Sequence, residues 1–159
     1  MTINVNRLVQ NVQRNSEALT EMNSLLERVS NAVRDQTEKI HKYLIAFNEI
    51  VNEMRDNHMI PIYDAGFIAP EKQYLTVGLN ALLEGAEALG IPISNNVLYQ
   101  KYVDAILTPI FELNKRDRTD ELMFNTEMVP RHQISGHLKS LLIDLDLPLG
   151  QQGASVKAA

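Results

Sequence analysis

IYDAGFIAPEKQYLTVGLNALLEGAEALG, residues 62–90, is the stretch on which the reading of the chain turns. Pro70 stands where a first-turn proline is tolerated, because its missing N–H would lack a partner there in any case. From it the spacing predicts a helix over 71–89, stopped at Gly90 with Pro92 just beyond. Leu75, Leu79, Leu82, Ala86 and Leu89 follow the four-three spacing of a buried helical face. Gly78, Ala81, Gly85 and Ala88 make a second stripe, of small residues. A glycine inside a helix costs about 1 kcal/mol relative to alanine, so two of them predict close approach of another backbone.

Upstream, Tyr63-Asp64-Ala65-Gly66-Phe67 is a turn-prone link whose aromatics suit the edge of a core. Before it lies a long amphipathic stretch, about 16–57. Leu19, Met22, Leu26, Val29, Val33, Gln36, Ile40, Tyr43, Phe47, Ile50 and Met54 keep a strict three-four alternation, broken in character only by Gln36. Leu25, Leu44 and Val51 widen the apolar face beyond a two-stranded seam, which suits a helix laid against a larger body. Its charges form a solvated face. His41 and His58 have no histidine or carboxylate at metal-ligand spacing and read as satisfied or solvent-facing. At the other end, Thr2 to Val9 alternates weakly, with Ile3 and Val5 on one side, as in a short strand.

Downstream, Ser94-Asn95-Asn96 supplies good N-cap residues for a helix over about 95–114. Pro109 should kink it or mark a new start. Asn114 to Asp120 reads as a charged, exposed turn, its cations offset by Asp117 and Asp120. A strand over about 121–125 then delivers Asn125, Thr126 and Glu127 to a strand end, where α/β barrels display ligand-contacting residues. Amide and hydroxyl groups exchange hydrogen bonds with sugar hydroxyls, and a carboxylate accepts them. Taken alone, Asn-Thr-Glu also fits many turns. In the segment 131–159, Ile134, Leu138, Leu141, Leu142 and Leu145 suggest a short helix stopped by Pro148, followed by a disordered end.

Composition narrows the function classes. A length of 159 residues allows one domain with a real core, and a net charge of −5 argues against a nucleic-acid-binding face. No apolar run approaches the ~20 residues of a membrane span, and the first residues lack a signal-peptide core, so a cytoplasmic location is expected. The cysteine count of zero excludes disulfides, cysteine-ligated metals and thiolate nucleophiles.

The order of residues in three segments resembles one family. Tyr63-Asp64-Ala65-Gly66-Phe67-Ile68 with Lys72-Gln73-Tyr74-Leu75-Thr76 and the Gly78/Asn80 pair is similar to the anaerobic (class III, glycyl-radical) ribonucleoside-triphosphate reductases. Thr2-Ile3-Asn4-Val5-Asn6-Arg7-Leu8 resembles a strand segment of that family, with Asn6 where the family has proline. Asn125-Thr126-Glu127-Met128-Val129-Pro130 resembles a third segment, and the likeness stops there. The resemblance implies that Asn125, Thr126 and Glu127 lie near the substrate. It also implies a glycyl radical and a cysteine-bound metal elsewhere in a complete enzyme, and a radical-SAM activating enzyme as partner of that enzyme. No metal site and no cofactor is expected within these residues.

The expected fold is therefore mainly α with a few short strands, an α+β-like fragment forming part of the glycyl-radical-enzyme α/β barrel. Residues 1–130 form the reductase-like segment and 131–159 a divergent tail. Two functions follow. One is a fragment of the reductase, inactive alone and associating with the remaining polypeptide or with itself to act on a nucleotide. The other is a non-catalytic helical interaction module, which explains the long helix but not the three segments.

Overall fold

The computed structural model describes residues 1–16, 21–69 and 72–129. The short helix and disordered end expected within 131–159 lie outside the described residues. Strand β2 (Tyr74–Asn80) is the middle of a three-stranded parallel sheet, with β1 (Thr2–Asn4) on one side and β3 (Met123–Met128) on the other. Its register sets Ile3 beside Leu79 and Leu75 beside Phe124. Parallel neighbours need long crossovers. Helices α1 (Val5–Arg14), α2 (Met22–Asp56) and α3 (Pro61–Asp64) join β1 to β2. Helices α4 (Leu82–Ala88) and α5 (Val97–Asp117) join β2 to β3. The described chain is thus mainly helical with a small sheet.

Of the helix expected over 71–89, only Leu82–Ala88 is helical, and Tyr74–Asn80 is a strand. Leu75 and Leu79 are four apart, a spacing that a strand of period 2 shares with a helix of period 3.6. Tyr74, Thr76 and Val77 favour an extended chain, and ladders on both sides of β2 satisfy its backbone. Val77 and Leu79 are fully buried as a result. The backbone then turns left-handed at Ala81 (φ 56°), and only there does α4 begin. Close approach to a glycine occurs at Gly85, from side chains. A methyl group at Gly85 would collide with the Tyr102 hydroxyl and lie 3.2 Å from Val5 Cγ1.

Two other expectations shift. The N-terminal strand stops at Asn4, because its Oδ1 accepts a hydrogen bond from Arg7 N at 2.9 Å and opens α1. Val5 and Val9, four apart, are then buried on one helical face. Likewise Asn96 caps α5 by accepting from Tyr99 N at 2.8 Å. That helix runs unbroken through the buried Pro109 and on to Asp117, so the charged link expected after Asn114 is its last turn.

One hydrophobic core holds these elements. Ile3, Val77 and Leu79 of the sheet meet Val29, Val33 and Ile40 of α2 and Tyr102, Ile106 and Ile110 of α5. Burying each such side chain contributes roughly 1.5–3 kcal/mol. Every apolar side chain that the strands give to this core points to the same face of the sheet. The opposite face is mostly polar, with Tyr74 and Met123 paired at one end.

Candidate functional site

Neighbouring side chains on a strand point to opposite faces. Because Val77 and Leu79 enter the core, Thr76, Gly78 and Asn80 belong to the other face of β2. The register sets Asn125 beside Thr76, Glu127 and Thr2 on either side of Gly78, and Asn4 beside Asn80. Away from the Tyr74/Met123 end, this face carries the hydroxyls of Thr2 and Thr76, the amides of Asn4, Asn80 and Asn125 and the Glu127 carboxylate, and none of these side chains belongs to the core. Gly78, at its centre, contributes no side chain and is buried.

Two of the amides are incompletely used. Asn80 Oδ1 and Asn125 Oδ1 are buried and have no hydrogen-bond partner among the described residues. A buried acceptor left unpaired costs about 1–3 kcal/mol, so an O–H or N–H donor brought to this face would be stabilised there. Asn4, by contrast, is occupied in capping α1. Glu127 is exposed.

The residues singled out in the sequence are divided by the strand. Asn125 and Glu127 share the polar face, whereas Thr126 faces the helices, where Asn114 Nδ2 donates to its Oγ1 at 2.9 Å. Behind Thr126 lies a polar cluster built on the buried His41. The His41 ring stacks on Phe124 with centroids 4.2 Å apart and planes 25° apart. Its Nδ1 is 2.7 Å from Asp117 Oδ2 and its Nε2 is 3.0 Å from Asn114 Oδ1. Arg116 donates to Asp117 Oδ1 at 2.7 Å and to Glu38 Oε1 at 2.8 Å. The Arg116 guanidinium, seconded by the His41 hydrogen bond, holds the Asp117 carboxyl below its usual range against the opposing effect of burial. The same guanidinium lowers Glu38. These contacts pin β3 to α2 and α5, and so fix the strand that displays Asn125 and Glu127.

Clefts flank both outer strands. One of about 510 Å³ beside β3 is lined by Asn114, Asn125 and Thr126 with Phe111, Lys115 and Arg118. Another of about 700 Å³ beside β1 is lined by Thr2, Asn4, Asn11 and Asn15 with Arg7 and Arg28. Among the described residues no group of three or more metal-ligating side chains comes together, and no helix is long and apolar enough to cross a membrane. The polar face holds no nucleophile paired with a base. Its amide oxygens and its carboxylate are hydrogen-bond acceptors.

Thr76 and Asn80 escaped sequence reasoning as members of this face, because a helix over 71–89 would scatter them around its axis. The period-2 run Leu75, Val77, Leu79 is the signal that places them with Asn125 and Glu127.

No protein-family model and no curated protein matches the sequence. Solved structures do match the fold. The anaerobic ribonucleotide reductase from Thermotoga maritima with citrate in the active site matches 92% of this chain and 26% of its own, at 23% identity and a TM-score of 0.71. The same enzyme in complex with dATP and CTP matches 92% of this chain and 24% of its own, again at 23% identity and a TM-score of 0.71. A further anaerobic ribonucleotide reductase matches at 22% identity and a TM-score of 0.70, over 93% of this chain and 24% of its own. The chain thus spans about a quarter of the length of the reductases it resembles. Parallel strands in the order β1-β2-β3, long helical crossovers and a polar outer face together give this chain the fold of a segment of the anaerobic ribonucleotide reductases.

Proposed function

We propose that the chain is a segment of an anaerobic ribonucleoside-triphosphate reductase and supplies three consecutive strands of an α/β barrel together with part of its substrate surface. The observation that carries this reading is the polar sheet face, with two unpartnered amide oxygens, in a chain of reductase-like fold. In the barrel that face would turn inward. Asn125 and Glu127 accept hydrogen bonds from the ribose hydroxyls and hold the sugar in one orientation. Thr126 acts from behind by tying β3 to Asn114.

Hydrogen-atom abstraction from the sugar would be supplied by the glycyl-radical and cysteine groups of the remaining polypeptide, since this sequence contains no cysteine. Alone, the chain binds and orients but does not reduce. A cytoplasmic setting, a nucleotide substrate and a radical-SAM activating enzyme for the assembled protein belong to the same reading.

The test is recovery of the tagged chain from its own anaerobically grown source, with mass spectrometry of what co-purifies. A second polypeptide of reductase sequence is expected, and the mixture should reduce CTP once activated. Asn125→Ala and Glu127→Ala should still co-purify that polypeptide but lose activity by about two orders of magnitude. Absence of any reductase polypeptide would overturn the proposal. The exposed apolar stripe on α2 favours a second reading, a non-catalytic helical assembly module, and partners without reductase sequence would support it.

A further inference from the structure

Helix α2 continues past the core that holds it. Its last buried residue is His41. Beyond that point Tyr43 and Phe47 are each 63% exposed, Ile50 54% and Met54 37%. Their four-three-four spacing puts all four on one side of the helix. Side chains this large and this exposed, in one line, are uncommon on a surface that meets only water.

The flank of this stripe that faces away from the core carries charges in a sorted order. Between 39 and 53, Lys39 and Lys42 come first, then Ala46, then Glu49 and Glu53, all of them exposed, while the exposed Asp35 lies one turn earlier on the same flank, outside the contact. None of the four charged residues makes an ion pair among the described residues. The pairs 39/53 and 42/49 are centred at nearly the same point, on Ala46. A helix whose flank is positive on one side of a small residue and negative on the other is complementary to itself turned end over end.

We propose that this stripe pairs two copies of the chain, antiparallel about a two-fold axis near Ala46. Lys39 of one copy then lies against Glu53 of the other, and Lys42 against Glu49, each pair occurring twice by symmetry. Tyr43 of each copy meets Phe47 of the other at the centre, and the small Ala46 lets the two helices approach closely. A parallel pair would set lysines level with lysines and glutamates level with glutamates, so the charges select the orientation. The contact extends over about 21 Å of helix, the rise of the residues from Lys39 to Glu53, and is too short for a tight dimer. This pairing requires no reductase polypeptide and stands or falls separately from the proposed function.

Sedimentation velocity on the full chain tests it. A reversible dimer with a dissociation constant on the order of 10 µM is expected in low salt, weakening as salt is added. Lys39→Glu and Glu53→Lys should each weaken dimerisation by about tenfold, since each creates two like-charge contacts. An equimolar mixture of the two variants should dimerise again, because opposite charges then meet at both positions. Phe47→Glu should give a monomer whose circular dichroism is that of the folded chain. A wild-type chain that stays monomeric at hundreds of micromolar would overturn the proposal, as would dimerisation indifferent to the single charge changes or a mixture that fails to restore it.

Discussion

Gly85 shows how tightly single atoms are specified. The Tyr102 hydroxyl, buried and with its acidity suppressed by that burial, donates to Leu82 O at 2.7 Å across the space a methyl group at Gly85 would need. Gly85→Ala is expected to destabilise the chain by about 1–3 kcal/mol despite the better helix propensity of alanine. Tyr102→Phe should cost about 1 kcal/mol through the lost hydrogen bond. Together the two should cost less than their sum, because removing the hydroxyl makes room for the methyl, and urea unfolding of all four chains measures that difference. Asp117 governs a different property. Its carboxyl is held below the ordinary value of 3.8, so the folded chain binds fewer protons there than the unfolded one. The stability this confers is complete above the unfolded-state value and is lost as pH falls through the folded-state value. Melting temperatures taken between about pH 6 and pH 2 should therefore fall more steeply for the wild type than for Asp117→Asn, which lacks the group that titrates. At pH 7 that variant should already be less stable by about 2 kcal/mol, having lost a charge-assisted partner of His41 and Arg116.

Among the elements, those with local signals were legible and those set by distant partners were not. Helices α2 and α5 follow from apolar spacing and, for α5, from an asparagine cap. Strand β2 does not, because Leu75 and Leu79 satisfy two periods at once and the deciding ladders come from β1 and β3, far away in sequence. The site shared the same fate. Asn125 and Glu127 are visible as polar residues on a short strand, but their neighbours Thr76 and Asn80 appear only once β2 is extended. His41 reads as satisfied or solvent-facing with no partner named, and the structure names Asp117 and Asn114 of α5 as its partners. The junction after β2 carries its own strain, since Ala81 sits at φ 56° and ψ 35°, a region that costs an L-residue about 1–2 kcal/mol. Ala81→Gly should relieve part of this and stabilise the chain by about 0.5–1 kcal/mol, against the usual penalty of a glycine, as thermal unfolding would show.

Over the whole molecule, the sheet is bonded on both sides only along β2, and the outer edges of β1 and β3 meet no strand among the described residues. Amide hydrogen exchange should find the backbone of Tyr74–Asn80 the slowest in the sheet, with the outward amides of β3 faster by about two orders of magnitude. Binding of the barrel's remaining strands, if the proposed function holds, should slow the β3 amides first. The central place of β2 also bears on the order in which the chain acquires its shape. Residues 74–80 leave the ribosome after β1 but well before β3, so for that interval they hold one ladder and lack the other. Within the segment itself, the four-three spacing of Leu75, Leu79 and Leu82 competes with the extended preference of Tyr74, Thr76 and Val77. A synthetic peptide of residues 72–90 should accordingly be helical in mildly helix-promoting solvent. The second ladder, formed only when β3 arrives, is what commits the central strand to its extended form on both sides.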